Sequence, residues 1–286
     1  MDVIDTNLRQ AVIRSDPAAL SECLWRGAEV NARDANGWTA MHFACSCADA
    51  RIALKLLAHG ADVQVNDKGG VGPLHLAAMR RDASLVRLLL DAGAFPDARD
   101  RYGATPLFLA AGRGNISAVT ALLRAGARVD RSDGLGYNAL HWAASNRNPR
   151  TARLLLRAGA PLHAVENEGM TPLHIAVLGG HLHTARFLIQ QGSIVDQQDA
   201  AGQTALHFAV RRCDAELAAL LLSAGANMHE ASAAAETPFD VACWQNDPVV
   251  LDVLYRTETA NEDSFFVAGN APQAAGLEPW QGDPLA

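Results

Sequence analysis

Residues 169–181 read GMTPLHIAVLGGH. Gly169 suits a turn that needs positive φ. Thr171 then caps a helix, and Pro172 follows at the first helical position, where a missing N–H is no loss. Leu173 and the small residues after it form one apolar face. His174 could be a catalytic group or a piece of scaffolding. The chain itself decides, because the segment recurs.

Gly37, Gly70, Gly103, Gly136, Gly169 and Gly202 stand 33 residues apart, and so do Gly27, Gly60, Gly93, Gly126, Gly159, Gly192 and Gly225. Rows of 33 starting at residue 1 align further columns. One reads Leu8, Met41, Leu74, Leu107, Leu140, Leu173, Leu206, Phe239. Another is alanine throughout, from Ala11 and Ala44 to Ala242, so something must approach that helix closely. A second helix opens at Asp16, Asp49, Asp82, Asn115, Asn148, His181, Asp214 and Asp247, and Asp and Asn are strong N-caps. Apolar pairs such as Leu155-Leu156 close it, and Gly-Ala stops it with Gly in the left-handed C′ position. The unit is turn, helix, helix, loop. One such unit cannot bury its apolar face alone, so stability must come from stacking.

Row three reads DKGGVGPLHLAAMRRDASLVRLLLDAGAFPDAR and row four DRYGATPLFLAAGRGNISAVTALLRAGARVDRS. These rows resemble the ankyrin repeat, and the resemblance spans about nine-tenths of the chain. It implies an all-α ankyrin-repeat solenoid of stacked helix-turn-helix units with projecting β-hairpin fingers. It also implies protein–protein recognition. The expected array spans residues 1–255, with capping rows at 1–33 and 232–255, internal rows at 34–231, and a mostly disordered acidic tail at 256–286. His174 falls in the column His42, His75, His141, His174, His207, interrupted by Phe108. A residue repeated at each helix start reads as structural, bonding the turn backbone of adjacent rows.

Departures mark where the pattern bends. Row eight has Ala235 for Gly and Asp240 for His, and row one has Asn7 and Arg9 where the family has Pro and His. Terminal rows should differ, since each has one face in water. Gly72 and Asn138 replace the capping Thr. The Gly between the two helices survives as Gly114 and Gly180. Elsewhere it is Ser15, Ala48, Arg81, Arg147, Cys213 or Asn246, so those turns are strained or reshaped.

The chain has 286 residues, a formal charge of −7, and only two lysines, Lys55 and Lys68. A net negative balance argues against general nucleic-acid or anionic-membrane binding. The N-terminal MDVIDTNLRQ is no signal peptide, and no stretch reaches the ~18 apolar residues of a membrane span. Five cysteines fit no disulfide framework and point to a reducing compartment. The expected location is cytoplasmic, with export as an effector left open. His181-Leu-His183 does not share a helix face and has no third ligand for a metal. Gly69-Gly70 with Gly72, and Gly112 with Gly114, belong to repeat turns and lack the strand of a phosphate loop. No catalytic constellation stands apart from the repeat columns, so no enzyme activity, cofactor or metal is expected.

Contact residues should come from the fingers and the exposed side of the first helix. The finger-tip column holds Trp38, Tyr137 and Met170, with Tyr102 beside it. These aromatics either face a partner or pack on adjacent fingers. A first-helix column reads Arg14, Cys47, Arg80, Arg113, Asn146, Gly179, Arg212, with Arg81 and Arg101 near in register. Residues 67–132 carry ten Lys/Arg against six Asp, which predicts a basic concave patch beside Tyr102 for an acidic protein surface or peptide. Arg212 and Trp244 mark a second candidate. In the tail, Phe265-Phe266 and Trp280 lie among acids as a docking or self-docking motif. The expected function is a monomeric, non-enzymatic adaptor, inhibitor or targeting subunit. An exported effector and the regulatory subunit of an enzyme complex are the alternatives.

Overall fold

The computed structural model describes the backbone of residues 3–269 and the side chains of residues 3–259. Among the described residues the chain forms sixteen helices in eight successive pairs. They are α1 (Val3–Ile13) with α2 (Pro17–Trp25), α3 (Ala40–Cys47) with α4 (Ala50–Ala58), α5 (Pro73–Ala78) with α6 (Ser84–Asp91), and α7 (Pro106–Gly112) with α8 (Ile116–Arg124). Then come α9 (Ala139–Ala144) with α10 (Arg150–Arg157), α11 (Pro172–Leu178) with α12 (Leu182–Gln190), α13 (Ala205–Arg211) with α14 (Ala215–Ser223), and α15 (Pro238–Gln245) with α16 (Pro248–Gly269). Each helix packs on its pair mate, and each first helix on the equivalent helix of the next row; α7, for example, touches α5, α8 and α9. The alanine column sits at these crossings, from Ala44 to Ala242 with no exposed surface. That absence of side-chain bulk lets first helices approach closely.

Caps follow the sequence. Thr39, Thr105, Thr171, Thr204 and Thr237 precede first helices in extended backbone. Asp16, Asp49, Asn115 and Asp214 each accept backbone N–H groups at the start of a second helix. His181 occupies the same column but makes no cap bond.

The fingers are built on turns rather than on a ladder; one isolated antiparallel bridge joins Ser132 and Asn138. A carboxylate organises the turns from Asp34 to Asp199, and Ser232 takes that place in the last finger. Asp34 accepts the N–H groups of Asn36 and Trp38 at 2.8 Å, and Asp100 those of Tyr102 and Ala104 at 2.9 Å. Neighbouring fingers are linked by one backbone bond each, such as Arg101 N–H to Gly69 C=O at 2.8 Å and Gly134 N–H to Tyr102 C=O at 2.7 Å. A Cβ on Gly70 would come within 2.8 Å of the Arg101 nitrogen, so both the positive φ and the close approach select glycine. Ala235 holds the same left-handed conformation at φ 58°. Among the described residues no following finger lies over it, so its methyl group is accommodated.

The last helix departs from the unit. α16 has 22 residues, and the expected array boundary at 255 falls inside it. Glu258 stands in the column where every earlier row has its helix-stopping Gly, so the helix continues. The side chains of Phe265-Phe266, and Trp280 as a whole, lie outside the described residues. No described helix is long and apolar enough to cross a membrane.

Candidate functional site

The histidine column fixes the fingers that carry the candidate contacts. His42, His75, His141 and His207 each reach the following finger through Nε2, to the carbonyls of Val71 (3.1 Å), Ala104 (3.3 Å), Met170 (3.1 Å) and Glu236 (3.0 Å). Their Nδ1 atoms accept the N–H of the cap residue of their own row. An imidazole that accepts at Nδ1 and donates at Nε2 is neutral. Burial accordingly lowers the pKa of each of these histidines. His174 makes the Nδ1 contact to Thr171 at 3.1 Å, but its buried Nε2 has no hydrogen-bond partner. Asp240 in row eight receives the Thr237 N–H and hydroxyl at 3.0 and 2.7 Å. Among the described residues no finger follows row eight, and the carboxylate ties the cap locally. Among the described residues no group of three or more His, Cys, Asp or Glu is placed to hold a metal ion.

Five of the expected contact residues lie on the fingers, and they divide. Trp38 is half-buried: its indole N–H donates to Asp67 in the next finger at 3.0 Å, and its ring stacks 5.9 Å from His42 and lies edge-on to Phe43. It ties fingers together. Tyr137 is also half-buried, edge-on to His141 at 5.6 Å. Met170 is half-buried, and its carbonyl serves His141. Tyr102 differs. It is 65% exposed, the Arg101 guanidinium lies 4.6 Å over its ring, and Arg101 also donates to its hydroxyl at 2.6 Å. Leu135, on the next finger, is 64% exposed.

The other five lie at the opposite ends of the first helices. The expectation of one basic patch joining Arg80 and Arg113 to Tyr102 is corrected here. Tyr102 precedes α7 and Arg113 follows it, and a seven-residue helix holds them ~10 Å apart along its axis. Arg80, Arg81 and Arg113 instead line a cleft of about 510 Å³ between the helix turns of rows three and four, with Asn115 and Ser117. Arg80 is partly consumed in structure, donating to the Ser46 carbonyl at the end of α3. Arg212 does the same for Leu178 at 2.9 Å, and Asn146 for Gly112 at 2.8 Å. Gln245 does so for Arg211 at 2.9 Å. At Arg80, Asn146, Arg212 and Gln245 this column thus caps the preceding row. Trp244 stands alone on α15, 68% exposed.

A set of residues that the finger and helix-end columns pass over forms a continuous strip. α7 is covered by α5, α8 and α9, and its open side shows Leu109. The same position in neighbouring rows holds Phe43, Leu76, Trp142, Ile175 and Phe208, all half-buried. The signal was available as one more apolar column, but only the packing shows that this side of the helix remains open. Gly112 serves this strip: a Cβ there would lie 2.8 Å from the Trp142 ring.

The sequence pattern of ankyrin repeats matches residues 8–100, 74–165 and 158–232. The crystal structure of the human ASB11 ankyrin repeat domain is similar in fold, with a TM-score of 0.72 and 26% sequence identity. The similarity covers 77% of this chain and 98% of that one. In all, 634 solved chains match, so the architecture by itself selects no partner. No curated protein sequence matches significantly. The repeat pattern covers most of the chain, and the helix pairs, capping histidines and linked fingers carry it in three dimensions: the chain belongs to the ankyrin-repeat family.

Proposed function

We propose that the chain is a non-enzymatic recognition module that binds another protein across the open side of its first helices and the adjoining finger tips. Ankyrin repeats are in general protein–protein interaction modules. The observation that carries the siting is the apolar strip from Phe43 to Phe208, with exposed Arg101, Tyr102 and Leu135 on the fingers of neighbouring rows. An apolar strip with an aromatic residue and an arginine beside it is the composition of interface centres. The cation–π contact holds Arg101 and Tyr102 in place before any partner arrives, which lowers the entropy lost on binding. Adaptor, inhibitor and targeting subunit all use such a face. Five unpaired cysteines support a reducing, cytoplasmic setting.

The test is photo-crosslinking in native lysate. A benzophenone side chain replaces Tyr102, Leu109, or Leu54 on the exposed side of α4 as control. We expect a shared adduct from positions 102 and 109 and none from 54. Equal adduct yields at all three positions, or adducts from 54 alone, would reject this face.

A further inference from the structure

Charge on the second helices is unevenly placed. α8, α10 and α12 contain Arg124, Arg150, Arg153, Arg157 and Arg186, and no Asp or Glu. Arg147, in the turn before α10, adds a sixth guanidinium. No acidic residue stands between Asp133 and Glu166, nor between Glu168 and Asp196. All six arginines are exposed, and among the described residues none of their side chains has an ion-pair or hydrogen-bond partner. On the second helices outside this region most cations are answered, Arg87 of α6 being the exception. Arg26 pairs with Glu22 at 2.7 Å and Arg256 with Asp252 at 2.9 Å, and Lys55 donates to the Pro17 carbonyl at 3.0 Å. Without these six, the chain's 24 cationic residues fall to 18 against 31 acids. The cluster is therefore a basic island on an acidic molecule.

The island is grooved. Between α10 and α12, a cleft of about 460 Å³ lies among Arg147, Arg153, His183 and Arg186. A second, of about 350 Å³, reaches Arg157. The two share Arg153, Phe187 and Gln190, so they form one groove along the helix pair. The Arg153 guanidinium lies 5.2 Å over the Phe187 ring, which orients one fork. The groove is about as long as the eight-residue α10, roughly 12 Å.

We infer that this groove docks a short acidic segment of a partner protein. Its length fits about four extended residues. Arg153, Arg157 and Arg186 receive the carboxylates two bonds at a time, a geometry that arginine offers and lysine does not. A nucleic acid or a membrane surface suits the groove less well. Either would extend beyond the island and meet the acidic remainder of the molecule. The site is separate from the first-helix face and goes beyond the function proposed above.

The experiment is fluorescence anisotropy with a labelled tetraglutamate peptide on the full chain at low ionic strength. Saturable binding is expected. The Arg153→Ala, Arg186→Ala double variant should weaken it at least ten-fold. The equally charged Arg81→Ala, Arg113→Ala variant, outside the groove, should stay within two-fold. Equal losses in both would mean diffuse electrostatics and overturn the site, as would absence of binding to the wild-type chain. An Arg153→Lys, Arg186→Lys variant keeps the charge and the helices. It should still bind at least three-fold more weakly, and wild-type affinity there would refute the two-bond recognition. Tighter binding of a four-phosphate oligonucleotide, or of vesicles rich in phosphatidylserine, than of the peptide would overturn the choice of partner.

Discussion

Phe108 shows what one missing tie does. In the rows that pair Thr with histidine, the capping Thr hydroxyl sits 2.9–3.0 Å from Nδ1, as in Thr39, Thr171 and Thr204. In row four the ring is phenyl and fully buried, and the Thr105 hydroxyl has no partner. A buried polar group left unpaired is destabilising. Phe108→His should supply both the Thr105 contact and a donor toward the Tyr137 carbonyl, raising stability by roughly 0.5–1.5 kcal/mol. Urea unfolding checks this, and a midpoint that stays put or drops would mean that burying the phenyl ring outweighs the tie. The column break at Phe108 is legible in the sequence. The orphaned hydroxyl is not, because it depends on where the ring lies against the cap.

At the scale of the element, the turn between paired helices has two solutions. Ser15, Ala48, Cys213 and Asn246 take the left-handed conformation that glycine occupies at Gly114 and Gly180. Arg81 and Arg147 do not. In their rows the first helix is cut to six residues and the second to eight, against seven or more and nine in the other internal rows. Those rows give up helical residues instead of holding a strained backbone. Ala48→Gly and Cys213→Gly should therefore each stabilise the fold by up to about 1 kcal/mol, the left-handed penalty relieved less the greater freedom of the unfolded chain. Thermal melts of the two variants check this, and a lowered Tm in both would show that the turns carry no strain. Sequence columns show that glycine is missing but not which solution a row adopts. The candidate site has the same limit. Leu109 and Trp142 read as ordinary helix residues until the packing of neighbours leaves their side of the helix open. Arg80 and Arg212 read as contacts until their carbonyl partners in the preceding row are seen.

For the whole molecule, the periodicity of 33 made the architecture legible before any geometry, because every row meets the same neighbours. The same repetition makes pH a global variable. Burial holds His42, His75, His141, His174 and His207 below the reference value of 6.5. Their contribution is present in full above about pH 6.5. As pH falls below that, the unfolded chain takes up protons that the fold resists, so stability declines until the lowered folded values are reached. Urea midpoints should fall between about pH 7 and 5. His141→Gln with His207→Gln should lower the midpoint at pH 7 and flatten that decline. An undiminished slope in the double variant would assign the pH dependence to other groups.

In rows two and seven the first helix is finished at both ends by the row after it. His42 finds its acceptor in the finger at Val71, and the end of α3 receives its donor from Arg80. Row six shows the same at its far end, where Leu178 receives Arg212. During synthesis from the N-terminus, a row that has left the ribosome therefore waits for its successor before its polar groups are satisfied. While such rows emerge, the growing chain carries an unfinished row at its newest end, whereas row eight, with Asp240 in place of histidine, ties its cap within itself.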